Sequence, residues 1–224
     1  MGFSVQWEEV YRRGEQNSTW PWSDLISYVM RYARPDRKPY RVLELGFGAG
    51  ANVAFFLAIG ADYSGTEGSA TAVERVRERF AAVGNFQVAC CDFTENIPFE
   101  GPFDLVVDRS SLTHNSTQAI RVCLGSMNRI MRRGGRFIGI DWFSTTNSDF
   151  LTGVPTEDQY SRANFPAGQF RDVGTVHFFD AEHLRTLLCE AGFEVQRLEH
   201  KYSDTVIPAG EGRMAWWHFV AVKP

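Results

Sequence analysis

The chain has 224 residues and a formal net charge of −4, with 44% hydrophobic and 22% charged residues. This length allows one α/β domain with a full core and is short for two, and the negative charge with scattered arginines makes nucleic acid an unfavoured partner. Because no apolar run resembles a membrane span or a signal peptide, and the four cysteines form no CxxC pair, we expect a reduced, cytoplasmic protein without a metal site.

Residues 1–39 are predicted to form an N-terminal helical cap in front of the main domain. An aromatic loop that contains Trp20 and Trp22 separates two amphipathic stretches, and Ser23 is placed to cap the second helix. Pro35 marks the end of that helix. The tryptophans could cover a ligand as a lid, but packing of the cap on the sheet explains them as well or better.

From Tyr40 the pattern alternates between strand and helix, which predicts a doubly wound, mostly parallel sheet with helices on both faces, in one domain over residues 40–224. The helix before the fifth strand is expected to end in the turn at residues 132–135, where two arginines precede two glycines. The first five predicted strands span residues 41–45, 62–66, 86–91, 103–107 and 136–140.

Residues 142–176 interrupt this alternation. The segment is polar, contains several glycines and prolines, and is too long for a simple connection. We expect an inserted loop that acts as a lid and becomes ordered when a substrate binds.

Two further strands close the chain. Asp180 caps a helix, a sixth strand begins at Phe193, and a seventh spans residues 214–222. The link between these strands is too short to hold a crossover helix, so the last strand should pair antiparallel. The predicted sheet therefore has seven strands, of which the last is antiparallel.

The most informative segment is the run from Val42 to Gly50, an apolar strand followed by glycine at every second position. Glycine lets a backbone approach a ligand closely, and the next helix presents free N–H groups at the same place. Ala51 could complete a dinucleotide fingerprint, so the glycines alone leave a nicotinamide or flavin cofactor open. Glu44, just before the loop, fits a cofactor with a cationic amino group better than one with a pyrophosphate.

Acidic residues end all five of the first predicted strands. In open parallel sheets, ligands bind beyond the carboxyl ends of the strands, where the strand order reverses. Capping of the following helices could explain one such residue but explains the set less well. Five carboxylates at one edge therefore indicate a crevice for hydroxyls, an amine and a positive charge. They are Glu44, Glu67, Asp92, Asp108 and Asp141.

These features resemble the signature of class I S-adenosylmethionine-dependent methyltransferases, from about residue 40 to the end. The resemblance implies that the glycine loop holds the methionine end and ribose, that the acid after the second strand binds both ribose hydroxyls, and that Asp92 with Phe93 meets the adenine. Glu67 departs from the family, which more often has aspartate there, and we expect it to be exposed in the empty crevice. The implied cofactor-binding residues are Glu44, Gly46, Gly48, Gly50, Glu67, Gly68, Asp92, Phe93, Asp108 and Arg109.

His114 and Asp141 are the two candidate catalytic residues, because both follow strands at the carboxyl edge and could take a proton from a substrate. A histidine bonded within its own loop and a carboxylate that caps a loop are the alternative interpretations. His177, next to the insertion, is expected in the core.

We predict a methyltransferase that uses S-adenosylmethionine to methylate oxygen or nitrogen of a small-molecule acceptor, with no nucleic acid and no membrane as partner. The alternatives are a nicotinamide-dependent oxidoreductase on the same glycine loop and a non-catalytic S-adenosylmethionine-binding module. The expected dehydrogenase pair Tyr-x-x-x-Lys is missing beyond the fourth strand. The acceptor, the use of a base and the oligomeric state, with a homodimer as one option, stay open.

Overall fold

The computed structural model describes residues 4–210 and 212–224. The helices are α1 (Gln6–Arg12), α2 (Ser23–Tyr32), α3 (Val53–Ala58), α4 (Ala70–Arg79), α5 (Thr117–Ile130) and α6 (Ala181–Glu190). The strands are β1 (Arg41–Leu45), β2 (Asp62–Glu67), β3 (Phe86–Cys90), β4 (Phe103–Arg109), β5 (Met131–Phe143), β6 (Val154–Pro155), β7 (Ser161–Ala163), β8 (Val176–His177), β9 (Glu194–Ser203) and β10 (Met214–Val222).

Seven of these strands form one sheet in the order β3-β2-β1-β4-β5-β10-β9. Strand β10 runs antiparallel to its neighbours β5 and β9, and the other neighbouring strands pair in parallel. The order reverses between β1 and β4, because the chain builds from β1 out to β3 and then returns to the other side of β1. The predicted fold class and the terminal antiparallel hairpin are confirmed.

The helices cover both faces of this sheet. On one face, α5 and α6 pack Ile120, Leu124, Leu184 and Leu188 against inward-facing strand residues such as Leu43. On the other face lie α2, α3 and α4, whose buried residues include Leu25, Phe56 and Val73. This arrangement leaves the carboxyl edge of the parallel strands as the place where loops converge.

Strand β5 is longer than predicted, and the expected turn at residues 132–135 is wrong. The strand begins at Met131, directly after α5, and Met131 pairs with Phe103 of β4. Gly134 has a φ of 72°, and its N–H donates to the carbonyl of Lys223 at 2.7 Å. The start of β5 is therefore determined by pairing with neighbouring chain segments, which the local sequence pattern of a helix end does not predict.

Residues 144–177, which we call the insertion, are more structured than expected. Strands β6, β7 and β8 form a small antiparallel sheet. Its aromatic residues make a core of their own, in which Phe165, Phe170 and Phe178 are buried and Phe143 packs alongside. The expected structureless loop is wrong because these side chains bury apolar area locally. Its role as a lid stays a prediction. His177 is fully buried, so its expected place in the core is confirmed.

The two N-terminal helices pack beside the cavity described below. Ser23 is the first residue of α2, and the side chain of Trp22 before it makes no cap bond, so the expected capping role of Ser23 is wrong. Glu8 of α1 accepts hydrogen bonds from the hydroxyls of Ser69 and Thr71 at the start of α4, which lower its pKa to about 2.

Among the residues that the structure describes, no helix is long and apolar enough to cross a bilayer.

Candidate active site

A cavity of about 530 Å³ opens at the carboxyl edge of the sheet, beside the point where the strand order reverses. The part that we call the loop half is lined by Glu44, Gly46, Phe47, Gly48, Glu67, Gly68, Asp92 and Phe93. The part that we call the aromatic half is lined by Trp7, His114, Phe143, Gln169, Phe170, Val173, Met214 and Trp216. Asp24, Arg109 and Asp141 also line the cavity.

The glycines of the loop after β1 adopt conformations that other residues rarely adopt. Gly46, Gly48 and Gly50 have φ values of 57°, 56° and 74°. A side chain at Gly46 would overlap Ser111, and one at Gly48 would lie 2.6 Å from the hydroxyl of Tyr11. The loop thus makes room for protein side chains that pack over it. Gly50 faces Val76 of α4 and does not line the cavity, so the structure does not bring it to the predicted site.

Glu67 ends β2 and is held by backbone donors. Its carboxylate accepts hydrogen bonds from the N–H of Gly48 at 3.0 Å and from the N–H of Ser69 at 2.9 Å. The side chain is only 6% exposed, so the expected exposure in the empty crevice is wrong. Burial raises its pKa against the effect of these N–H donors. The N–H of Gly68 is a third donor to this carboxylate, so of its roughly four acceptor positions one is left for a hydroxyl group.

Glu44 lies at the end of β1 with both oxygens engaged. The side-chain amide of Asn52 donates to one oxygen at 2.7 Å, and the hydroxyl of Tyr63 donates to the other at 2.6 Å. Burial raises the pKa of this carboxyl, and the two donors oppose that effect. Glu44 is therefore a fixed acceptor in the wall of the loop half.

Asp92 and Phe93 follow β3 and line the same half. The carboxylate of Asp92 accepts from the N–H of Thr94 at 2.9 Å and from its hydroxyl at 2.6 Å, which fixes the turn. The ring of Phe93 is 9% exposed and packs into the core that lies under the sheet edge. Both reach the cavity, and their contact with adenine stays a prediction.

Asp108 and Arg109, the two predicted site residues at the end of β4, have different surroundings in the structure. Asp108 is fully buried and accepts from the N–H of Leu112 at 3.0 Å and the indole N–H of Trp142 at 2.7 Å. Burial raises its pKa to about 7. Asp108 does not line the cavity, so we correct its expected role from cofactor contact to support of the loop after β4. Arg109 does line it.

Arg109 is held between an aromatic ring and a carboxylate. Its guanidinium lies 3.5 Å from the ring centre of Trp22, and Nη2 lies 2.7 Å from Oδ2 of Asp141. The buried Nε has no hydrogen-bond partner among the described residues. This donor is available to an anionic group of a ligand, since an unpaired buried N–H costs free energy.

Asp141 ends the parallel pairing of β5 and adopts a left-handed conformation with φ 57°. Nε2 of His218 lies 2.9 Å from Oδ1 of Asp141, while Arg109 contacts the other carboxylate oxygen, Oδ2. Burial alone would raise the pKa of Asp141, but the hydrogen bond with His218 and the charge of Arg109 outweigh burial and keep it below the usual value. Asp141 is thus an ionised, fully engaged carboxylate and a weak proton acceptor.

Asp24, Asp141 and His218 place possible metal-ligand atoms within 4.8 Å of one another in the described part of the chain. Both carboxylates already face cations, because Nζ of Lys201 lies 3.2 Å from Asp24 and Arg109 contacts Asp141. These cations compensate the charge that would hold a metal ion, so we assign no metal to the cluster.

His114 follows β4 in the aromatic half. Its ring meets Trp7 edge-on at 4.9 Å between centres and Phe143 at 5.8 Å, both at 80°. Burial lowers its pKa to about 4, and a hydrogen bond with the backbone of Thr175 only partly opposes that effect. The imidazole is therefore neutral at neutral pH, and its buried Nδ1 has no partner among the described residues.

The chain is similar to known methyltransferases in one segment of its sequence and in its fold. The profile of a methyltransferase domain family matches residues 42–135, which begin in β1 and end within β5. This segment of the chain is thus similar to a methyltransferase domain.

Three solved methyltransferases share its fold. An S-adenosylmethionine-dependent methyltransferase from Methanosarcina mazei is 16% identical, with a TM-score of 0.69 over 91% of this chain and 98% of that chain. A 1,6-didemethyltoxoflavin-N1-methyltransferase from Burkholderia thailandensis, solved with 1,6-didemethyltoxoflavin and S-adenosylhomocysteine, is 18% identical, with a TM-score of 0.66 over 96% and 84%. A glycopeptide N-methyltransferase solved with S-adenosylmethionine is 19% identical, with a TM-score of 0.60 over 89% and 87%. No curated protein sequence matches this chain.

The family match and the shared fold support the predicted family, and the S-adenosylhomocysteine and S-adenosylmethionine bound in two of these neighbours support the predicted cofactor. The cavity brings together eight of the ten predicted cofactor residues and both catalytic candidates, leaving out Gly50 and Asp108.

Sequence reasoning missed several cavity residues that are distant in the chain. Trp7 and Tyr11 come from α1, Phe170 from the insertion and Trp216 from β10. The aromatic character of the last strand was a usable signal for Trp216. Nothing local in the sequence indicates that α1 packs over the glycine loop.

Proposed function

We propose that the chain transfers a methyl group from S-adenosylmethionine to an oxygen or nitrogen atom of a small-molecule acceptor. One observation carries this proposal: a single cavity combines a loop half with an aromatic half. The loop half lies entirely within the segment that matches the methyltransferase family, whereas the aromatic half, apart from His114, is lined by residues outside that segment. A module that only bound the cofactor would have no need of the second half. The family match likewise disfavours a nicotinamide-dependent oxidoreductase.

The donors and acceptors of the loop half fit the cofactor. Glu67 offers an acceptor position for a hydroxyl, and the unpaired Nε of Arg109 offers a donor for a carboxylate. Glu44, Gly46, Gly48 and Gly68 would complete the wall around the cofactor, with Asp92 and Phe93 at the adenine. When bound, S-adenosylmethionine supplies an electrophilic methyl group on a positively charged sulfur.

The protein's task in such a reaction is to align the acceptor and to exclude water. His114 is the stronger of the two candidate bases, because its imidazole is neutral and Nδ1 has no partner. We propose that Nδ1 accepts the proton of an acceptor O–H or N–H. Asp141 is weaker in this role, since it is paired with Arg109 and His218. It would instead keep Arg109 in position.

A small acceptor is supported by the cavity volume of about 530 Å³ and by two neighbours. One was solved with bound 1,6-didemethyltoxoflavin, and another methylates nitrogen of a glycopeptide. We further propose a cytoplasmic protein that binds no nucleic acid, in line with the net charge of −4. Residues 1–39 would act as a cap and residues 142–176 as a lid over the acceptor.

Calorimetry with S-adenosylhomocysteine and NADH tests the proposal. We expect S-adenosylhomocysteine to bind with micromolar affinity, about −8 kcal/mol, and NADH not to bind. Incubation with methyl-labelled cofactor and a metabolite extract should then label a small molecule. Heat with NADH alone would overturn the assignment, and cofactor binding without any labelled product would favour the non-catalytic module.

A further inference from the structure

The aromatic half is lined by rings from five separate parts of the chain. Trp7 meets His114, His114 meets Phe143, and Phe143 meets Phe170 at 4.6 Å between centres and 73°. Trp216 lies directly opposite Phe143 in the pairing of β5 with β10. Successive rings stand nearly at right angles, so the wall presents both faces and edges to whatever binds there.

The charges that line this region are balanced. Asp24 faces Lys201, and Asp141 faces Arg109, so each carboxylate has its own cation. No uncompensated carboxylate among these residues would attract an ammonium group, and no uncompensated cation would attract a phosphate. An uncharged ligand therefore pays the smallest desolvation free energy when it enters this region.

Two polar atoms of the same half have no partner among the described residues. Nε1 of Trp216 is a donor, and Nδ1 of the neutral His114 is the other. With the remaining imidazole nitrogen protonated, Nδ1 is an acceptor. Buried polar groups are nearly always paired in folded proteins, so these two atoms indicate where a ligand supplies the missing hydrogen bonds.

We propose that the methyl acceptor is a neutral, planar aromatic or heteroaromatic compound, bound among these rings, that gives an O–H or N–H to His114 and accepts a hydrogen bond from Trp216. This inference rests on the proposed function and narrows its substrate class. It excludes aliphatic amines, sugars and free carboxylates as the preferred acceptors.

Binding of matched probes to the protein saturated with S-adenosylhomocysteine tests the inference. The planar probes are naphthol, hydroxyquinoline and indole. Decalol has the fused-ring carbon skeleton and hydroxyl of naphthol without its planarity, ethanolamine is cationic, and glucose is polar and uncharged. We expect the planar probes to bind and the other three to bind at least tenfold more weakly, as measured by calorimetry.

Three variants locate the binding. Trp216→Phe keeps a ring but removes the N–H donor. It should weaken the binding of hydroxyquinoline by about two- to twelvefold, the range for one hydrogen bond. Phe143→Leu should weaken all planar probes by a similar factor through lost ring contact. Trp20→Phe is the control, because Trp20 is 82% exposed and does not line the cavity. Affinity for S-adenosylhomocysteine should stay unchanged in all three, which checks that they fold.

Equal binding of decalol and naphthol, preferred binding of ethanolamine or glucose, or no planar probe bound while S-adenosylhomocysteine binds would each overturn the inference and leave the proposed function intact. Unchanged probe affinity in both Trp216→Phe and Phe143→Leu would also overturn it. If wild-type protein fails to bind S-adenosylhomocysteine, the proposed function is wrong and the inference falls with it.

Discussion

The two halves of the cavity are built by different physical means. In the loop half, the acidic side chains are anchored by the protein itself: Glu67 by backbone N–H groups and Glu44 by Asn52 and Tyr63. In the aromatic half, rings form the wall, and buried atoms of His114 and Trp216 have no partner among the described residues. The carboxylates of the loop half are thus fixed by the protein before a ligand arrives, whereas the aromatic half holds buried polar atoms that only a ligand would pair.

This difference follows from how each half is encoded. The loop half comes mainly from short segments that follow consecutive strands, so local patterns define it. The aromatic half is assembled from α1, the loop after β4, the end of β5, the insertion and β10. We infer that the loop half carries the function common to the family, while the aromatic half determines which acceptor this protein uses.

The largest expected effect is a loss of turnover without a loss of cofactor affinity when His114 in the aromatic half is replaced. With the acceptor found by the labelling screen, His114→Ala should lower kcat by about a hundredfold to ten-thousandfold, the usual range for loss of a general base. Affinity for S-adenosylhomocysteine should not change, because His114 lies in the aromatic half. The remaining turnover should rise at high pH, where the acceptor ionises without help.

Asp141→Asn is the matched comparison. Its carboxylate is paired with Arg109, so the substitution should change cofactor affinity more than the pH dependence of turnover. If His114→Ala keeps near-normal turnover and Asp141→Asn loses it, the two roles are reversed. If both variants stay near normal, the site works by positioning alone.

A second prediction concerns the core of the insertion. Phe178 is fully buried against Phe143, Phe150, Phe165 and Phe170 and does not line the cavity. Phe178→Ala should destabilise this small core by about 3–5 kcal/mol, the range for large-to-small aromatic changes. Acceptor binding should be lost while cofactor binding stays within a small factor of wild type.

Limited proteolysis checks this separation. Cleavage within residues 144–177 should be faster in Phe178→Ala than in wild type, and an acceptor with cofactor should protect the wild-type segment. Equal loss of cofactor and acceptor binding would show that the insertion supports the whole domain and not the aromatic half alone.

The fold could be predicted from the sequence where local patterns coincide with the tertiary structure. The bounds of β1 and β10 agree with prediction, because apolar runs are flanked there by turn residues. The start of β5 could not be predicted, because the pairing of Met131 with Phe103 depends on a distant strand. The site shows the same division: Glu67 could be found by its position, but its burial depends on packing that spacing does not report.

The third prediction concerns Glu67 and couples binding to stability. Glu67→Ala should weaken the binding free energy of S-adenosylhomocysteine by about 1.5–3 kcal/mol, the range for hydrogen bonds to a charged group. It should also lower the free energy of unfolding by about 1–3 kcal/mol, because the N–H groups of Gly48 and Ser69 lose their acceptor. Calorimetry and urea denaturation measure the two effects. Glu74→Ala, on the exposed side of α4, is the control and should change neither. Full stability with weakened binding would mean that the loop half does not depend on this carboxylate for its shape.

The smallest expected effect is a pH dependence that arises in the aromatic half. Burial lowers the pKa of His114 from about 6.5 to about 4, so the unfolded chain binds a proton more readily than the folded protein between these pH values. Stability from this group is full above pH of about 6.5 and falls as the pH drops towards about 4, by about 2 kcal/mol at pH of about 5. Asp108, whose pKa burial raises to about 7, changes the stability in the opposite direction as the pH falls, so measurements on wild type alone cannot isolate the effect of His114.

His114→Phe keeps a ring at this position and removes the titrating imidazole. Urea denaturation at neutral pH and near pH 5 should therefore show about 2 kcal/mol less loss on acidification in this variant than in wild type. Equal losses in the two proteins would mean that His114 titrates normally, and that the neutral imidazole required of the base in the aromatic half is not built into the fold.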